Sequence, residues 1–145
     1  MKNLVFSLAF AACVAATATP ALAQQSGGLK VEFQGPGGHS SGAYGRVSAL
    51  HAAARAVILI QKALPAGSYQ ITNLTGGNSV NSIASDGLIE IKLTAGNAAA
   101  YQALVAAVTK AAAEGAAAEN AFRGVKAGDL TSGAPATVRS IVKPS

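Results

Sequence analysis

Side chains able to do chemistry are few in this chain. Two histidines, His39 and His51, and six acidic residues supply all of its imidazole and carboxylate. His39 lies within Gly35-Pro36-Gly37-Gly38-His39-Ser40-Ser41-Gly42, and a second unusual stretch, Gly76-Gly77-Asn78-Ser79-Val80-Asn81, follows further along. Glycine permits positive φ and close backbone approach, so these surroundings present His39 outward instead of packing it. Ser40 and Ser41 invite comparison with a nucleophile and its base. Adjacent residues seldom place a base against a nucleophile, and no orienting carboxylate is evident, so nucleophilic catalysis is not expected. The glycine run is not a phosphate loop, because the Gly-Lys-Ser/Thr ending is absent. His51, between Leu50 and Ala52, reads as a structural or merely exposed helix residue.

The elements that must carry these loops follow from periodicity. Lys30-Val31-Glu32-Phe33-Gln34 alternates apolar and polar residues as a half-buried strand does. From about Tyr44 to Leu64 the residues Val47, Leu50, Ala54, Val57, Ile58 and Leu64 recur at helical spacing, and Pro65-Ala66-Gly67 stops the run. Tyr69 to Leu74 alternates again and ends at the double glycine, and Gly87 to Leu93 makes a third strand. Asn97 to Phe122 reads as a second helix capped by Asn97, with a break or bend expected near Gly115. Thr137 to Val142 supplies a short final strand. The order β-α-β-β-α-β predicts an α+β fold of the ferredoxin-like kind, a four-stranded antiparallel sheet with both helices on one face.

Residues 1–23 read as an export signal: Lys2, an apolar run from Leu4 to Ala16, and Ala21-Leu22-Ala23 before Gln24. That run is too short and too diluted for a spanning helix, and Phe10-Ala11-Ala12 before Cys13 fits a lipidation site poorly. Cleavage after Ala23 leaves a single domain over 24–145, destined for the periplasm or the exterior. Cys13 departs with the leader, so neither disulfides nor a cysteine-ligated metal is expected. The net charge of +5 falls to +4 with Lys2 gone, as 10 basic residues then face 6 acidic ones. These basic residues are scattered and aromatics are sparse, which argues against a nucleic-acid surface.

The two glycine-bounded motifs, in this order of elements, resemble the dimerisation, or lid, domain of the zinc-dependent exopeptidases and deacylases. That family includes aminoacylase, glutamate carboxypeptidase, succinyl-diaminopimelate desuccinylase and peptidase T. The resemblance runs from about Leu29 to Phe122 and fits the last strand only loosely. It implies that His39 and Asn81 face a ligand and that two lids pair by their edge strands. It also implies a separate catalytic domain carrying two zinc ions. The ligands for such a centre are not in this sequence: two His and six dispersed acidic residues cannot supply them. The family usually has Pro where Ala84 stands and Arg where Lys92 stands. A lysine cannot reproduce the bidentate fork of an arginine, so a carboxylate clamp is not carried over to Lys92.

No cofactor or metal is therefore expected, and no hydrolysis by the domain alone. In the predicted topology Tyr69 to Leu74 forms a sheet edge with no internal Lys or Pro. Such an edge invites pairing with a second copy, through Tyr69, Ile71, Thr72 and Asn73. The expected role is an exported, stand-alone self-association and binding module. The alternative is an accessory subunit that supplies His39 in trans to a zinc peptidase or deacylase catalytic chain.

Overall fold

The computed structural model describes residues 23–145. The export signal and Cys13 lie outside the described residues, except for Ala23 at the end of the signal. The strands are β1 (Gln25–Gln34), β2 (Gly38–His39), β3 (Tyr69–Thr75), β4 (Ser82–Ile83), β5 (Asp86–Ala95), β6 (Leu130–Thr131), β7 (Ala134–Pro135) and β8 (Arg139–Pro144). The helices are α1 (Ala49–Ala63) and α2 (Ala98–Phe122). Four long strands make an antiparallel sheet in the order β3-β5-β1-β8. Both helices cover one of its faces. This is the expected α+β, ferredoxin-like arrangement.

Alternation in the strands decides which face is covered. Leu29, Val31 and Phe33 of β1 and Ile89, Ile91 and Leu93 of β5 are buried under the helices. Their neighbours Lys30, Glu32 and Glu90 stand on the open face. There Lys30 Nζ lies 3.4 Å from Glu90, and Lys143 donates to Glu32 at 2.9 Å. Such exposed cross-strand pairs contribute little; burial of the apolar face contributes most.

The helices meet through small side chains, Ala49, Ala52, Ala53 and Ala56 against Ala111, Ala112 and Ala116. The sequence led us to expect a break near Gly115. Instead α2 runs unbroken from Ala98 to Phe122. A Cβ on Gly115 would come within 2.8 Å of the Ala52 carbonyl oxygen and of Ala56. The glycine therefore marks a close approach of the two helices, and the neighbouring helix outweighs its low helical propensity.

Helix α1 starts later than the periodicity implied. Ser48 is extended and its side chain accepts from His51 N at 3.4 Å, so Tyr44 to Val47 lie ahead of the cap, the first two in a turn and the next two irregular. Asn97 caps α2 as expected, accepting from Ala100 N at 2.8 Å. The final strand sits two residues further along than expected. Asn120 fixes its entry, donating to the Val138 carbonyl at 2.9 Å and accepting from Val138 N at 2.8 Å. Because β1 and β8 are neighbours, the two ends of the described chain emerge together: Ser145 N donates to Gly28 O at 3.0 Å.

Candidate functional site

The loops flagged in the sequence are zipped together beyond one end of the sheet. β2 and β4 form a two-residue ladder pairing Gly38 with Ile83 and His39 with Ser82. Ser40 N adds a bond to the Asn81 carbonyl at 2.9 Å. Gly37 makes the tight entry possible. Its φ is +59°, and a Cβ there would come within 2.7 Å of the Ser85 side chain.

This ladder brings His39 and Asn81 into contact on an exposed surface, with Asn81 Nδ2 3.0 Å from His39 Nε2. On the other side of the ring, Ser41 N donates to Nδ1 at 3.2 Å and Ser41 Oγ lies 2.7 Å from Nδ1. Ser79 Oγ donates to Asn81 Oδ1 at 2.7 Å. A backbone N–H on Nδ1 makes that nitrogen an acceptor, so the neutral ring carries its proton on Nε2. Two donors would then face each other across the Asn81 contact. Turning the Asn81 amide over resolves the conflict, since oxygen and nitrogen of an amide are assigned from the network. Nε2–H then donates to Asn81 Oδ1, and Nδ2 donates to Ser79 Oγ.

Ser41 does meet His39, although residues this near in sequence seldom bring such a pair together. The contact is nevertheless a local turn bond, not an acyl-transfer centre. The following backbone donors, Gly42 N and Ala43 N, are both committed to the His39 carbonyl, at 3.2 and 2.9 Å. An oxyanion would find no preorganised pair of donors there.

Lys92 is not part of this cluster. It pairs with Gly28, whereas the His39 loop leaves the sheet where Gln34 pairs with Asp86. The two positions sit toward opposite ends of the same strand pair. Residues Tyr69, Ile71, Thr72 and Asn73 lie on β3, which is bonded only to β5 and so is an edge as expected. The expected even alternation is interrupted, however. The register shifts between Ile71 and Asn73, leaving Thr72 in a bulge with its hydroxyl donating to the Glu90 carbonyl at 3.2 Å. Tyr69 and Ile71 pack against the core. What β3 offers outward is therefore chiefly its backbone.

One important residue escaped the sequence reading. Glu119 is fully buried, the one carboxylate in the core. It accepts from Ser48 N at 3.1 Å, from Arg55 Nε at 3.0 Å and from Arg123 Nε at 3.2 Å. His51 Nδ1 stands 3.8 Å away, too far for a hydrogen bond. Burial pushes the carboxyl pKa up. The Ser48 N–H and the two guanidinium groups outweigh that and leave it below its ordinary 4.5. Helix α1 has no acidic residue in its first turn, so Glu119 supplies from α2 the negative charge that a helix N-terminus favours. Phe122 reinforces the arrangement, with the Arg55 and Arg123 guanidinium carbons 4.9 and 5.0 Å from its ring centre. Spacing held the signal: Val108, Ala111, Ala112, Gly115, Ala116 and Glu119 follow one helical stripe. A carboxylate on a stripe otherwise made of small and apolar residues implies buried cationic partners.

The donor set does not fit a zinc centre. Among the described residues no three His, Cys, Asp or Glu side chains gather as metal ligands would. His39 is engaged by Ser41 and Asn81, and Glu119 by Ser48 and two arginines. Nor is any described helix long and apolar enough to cross a membrane.

Comparison with known proteins meets this geometry at one point. The family model described as "Peptidase dimerisation domain" matches residues 24–120. The chain belongs to the peptidase dimerisation domain family. A search of curated protein sequences returns no match. Solved structures share the dimerisation-domain fold at low identity. An aminobenzoyl-glutamate utilization protein from Klebsiella pneumoniae aligns at TM-score 0.62 and 17% identity, covering 83% of this chain and 28% of its own. A Staphylococcus aureus tripeptidase gives 0.60 and 16%, covering 83% and 29%. A hydantoinase/carbamoylase family amidase from Burkholderia ambifaria gives 0.62 and 21%, covering 84% and 28%. This chain thus spans less than a third of the length of each of these proteins.

Proposed function

We propose that this dimerisation domain is an exported self-association and binding module that has no hydrolytic activity of its own. The observation carrying the reading is the open edge of β3 in a chain matched by a dimerisation-domain model. Its backbone donors and acceptors on the side away from β5 have no strand partner among the described residues. A second copy related by a two-fold axis would satisfy them, joining two four-stranded sheets into one. The bulge at Thr72 limits continuous pairing to the stretches on either side of it. Export rests on Lys2, the Leu4–Ala16 run and Ala21-Leu22-Ala23, and N-terminal sequencing of the native protein should begin at Gln24. Light scattering across a concentration series tests the association. A dimer is the expected result, and a monomer at every concentration would remove the reading.

A second reading draws on the exposed His39–Asn81 pair. In it the domain lends His39 to a zinc hydrolase chain, where the imidazole would steady a substrate oxygen. Recovery of tagged protein from the envelope fraction distinguishes the two. A co-purifying zinc hydrolase whose activity drops with His39→Ala supports the second reading, and a homodimer alone opposes it.

A further inference from the structure

A groove of about 540 Å³ lies beside the His39 loop, between the start of α1 and the turn from β3 to β4. Its lips are apolar and unusually bare. Tyr44 is 92% exposed and Val80 fully so, and both line the groove together with Leu50. Large side chains this open, lining one concavity, suit contact with something outside the chain.

The electrostatics of the groove have one sign. Arg46, His51 and Arg123 line it, and no acidic residue does. Five of the six acidic residues lie elsewhere: Glu32, Asp86 and Glu90 on the sheet, Glu114 midway along α2, and Asp129 bonded to Lys126 N. The sixth, Glu119, is buried beneath and already shared by two arginines. It takes the Nε of Arg123, which leaves the two terminal nitrogens of that guanidinium for a second acceptor. Stacking on Phe122 holds Arg123 in place beforehand. Arg46 reaches only a long 3.4 Å contact to the Gly37 carbonyl and another to Ser132 Oγ. Two guanidinium groups with donors to spare, beside apolar side chains, select a carboxylate carried next to an apolar side chain.

We propose that this groove docks an extended acidic and apolar segment of a partner protein. A carboxylate of the segment would bridge Arg46 and Arg123, and its apolar neighbour would sit between Tyr44 and Val80. The proposal does not depend on the β3 edge: the groove remains available in a monomer.

The test is an NMR titration of the full chain with capped eight-residue peptides. One peptide alternates Asp or Glu with Leu or Phe, a second replaces the acids with Lys, and a third replaces the apolar residues with Ser. The expected result is saturable movement of the Tyr44, Arg46, Leu50 and Val80 amides with the first peptide only. Affinity should fall at least about tenfold in Arg46→Gln and in Val80→Ser, and also at high salt. Val80 is fully exposed, so Val80→Ser leaves the fold intact, and an unchanged amide spectrum outside the groove verifies this for both variants. Equal binding of the lysine peptide overturns the proposal, as does equal binding of the serine peptide. So does the absence of saturation at millimolar peptide. Movement of the same amides on dilution alone, without a peptide effect, would assign the groove to a second copy and also overturn it.

Discussion

Ser48 caps one helix and Glu119 sits on the other, yet the Ser48 backbone N–H donates to Glu119 Oε1 across 3.1 Å. That bond ties the start of α1, and with it the turns leading from His39, to the interior of α2. Glu119→Gln keeps an acceptor for Ser48 but removes the charge facing Arg55 and Arg123. Removing one partner of a buried ion pair leaves the others uncompensated. Both arginines reach solvent in part, which reduces the penalty. The expected loss is about 2 kcal/mol, read from urea unfolding of the variant against the parent.

Acid should erase that difference. The folded-state pKa of Glu119 lies below its ordinary 4.5. Unfolding therefore raises its proton affinity, and the ionised carboxylate stabilises the fold at pH values above 4.5. The contribution fades as pH falls through the lowered folded-state value. The stability gap between parent and Glu119→Gln should be full at neutral pH and should close on acidification. A gap that widens in acid would contradict the ion-pair account.

Much of the fold was legible in the sequence, because strand alternation and helical spacing report burial directly. Val31 and Phe33, or Ile89 and Ile91, could hardly face anywhere else. The element ends were less legible. Tyr44 and Val47 share the helical period of Leu50 and Ala54, but the Ser48 cap, fixed by Glu119 from another helix, begins the helix later. Gly115 misled for a similar reason: propensity is local, and the 2.8 Å approach to Ala52 is not. In the candidate site, the His39 and Asn81 motifs were visible as words in the sequence. Their meeting depends on a two-residue ladder too short to carry any periodic signal.

Gly115→Ala tests the helix crossing. The added methyl has no room beside the Ala52 carbonyl and Ala56, so the helices must separate or shift. Overpacking of this kind costs roughly 1–3 kcal/mol, against a gain of up to about 1 kcal/mol in helical propensity. Net destabilisation is expected, visible as a lower Tm. A higher Tm would mean that α2 has slack at this point.

Thr72→Pro tests the edge. Proline is tolerated on edge strands because it lacks only an outward donor. Thr72 already sits in a bulge, so the β3–β5 ladder should survive, with the loss of the hydroxyl bond to Glu90. Pairing with a second copy should weaken at least about tenfold, since the proline ring crowds the approach between the two stretches that pair. Sedimentation of parent and variant at matched concentrations measures this. An unchanged dimer would place the contact on another surface.

The His39 network makes a prediction about one proton. Ser41 N–H points at Nδ1, so the neutral imidazole should be the Nε2–H tautomer, with Asn81 Oδ1 as its acceptor. Long-range nitrogen–proton correlation spectra separate the two tautomers by the shifts of the ring nitrogens. Asn81→Ala should free Nε2–H to solvent without changing the tautomer, because the Ser41 donor is backbone and remains. Asn81→Asp should hold the same proton in a stronger, charge-assisted bond and move the Nε2–H signal downfield. If the ring instead carries its proton on Nδ1, Ser41 N–H cannot be its donor. The loop would then differ from the one that sets His39 against Asn81. A ligand oxygen approaching His39 would meet an Nε2–H donor already pointing outward, and it would have to compete with a single neutral amide for it.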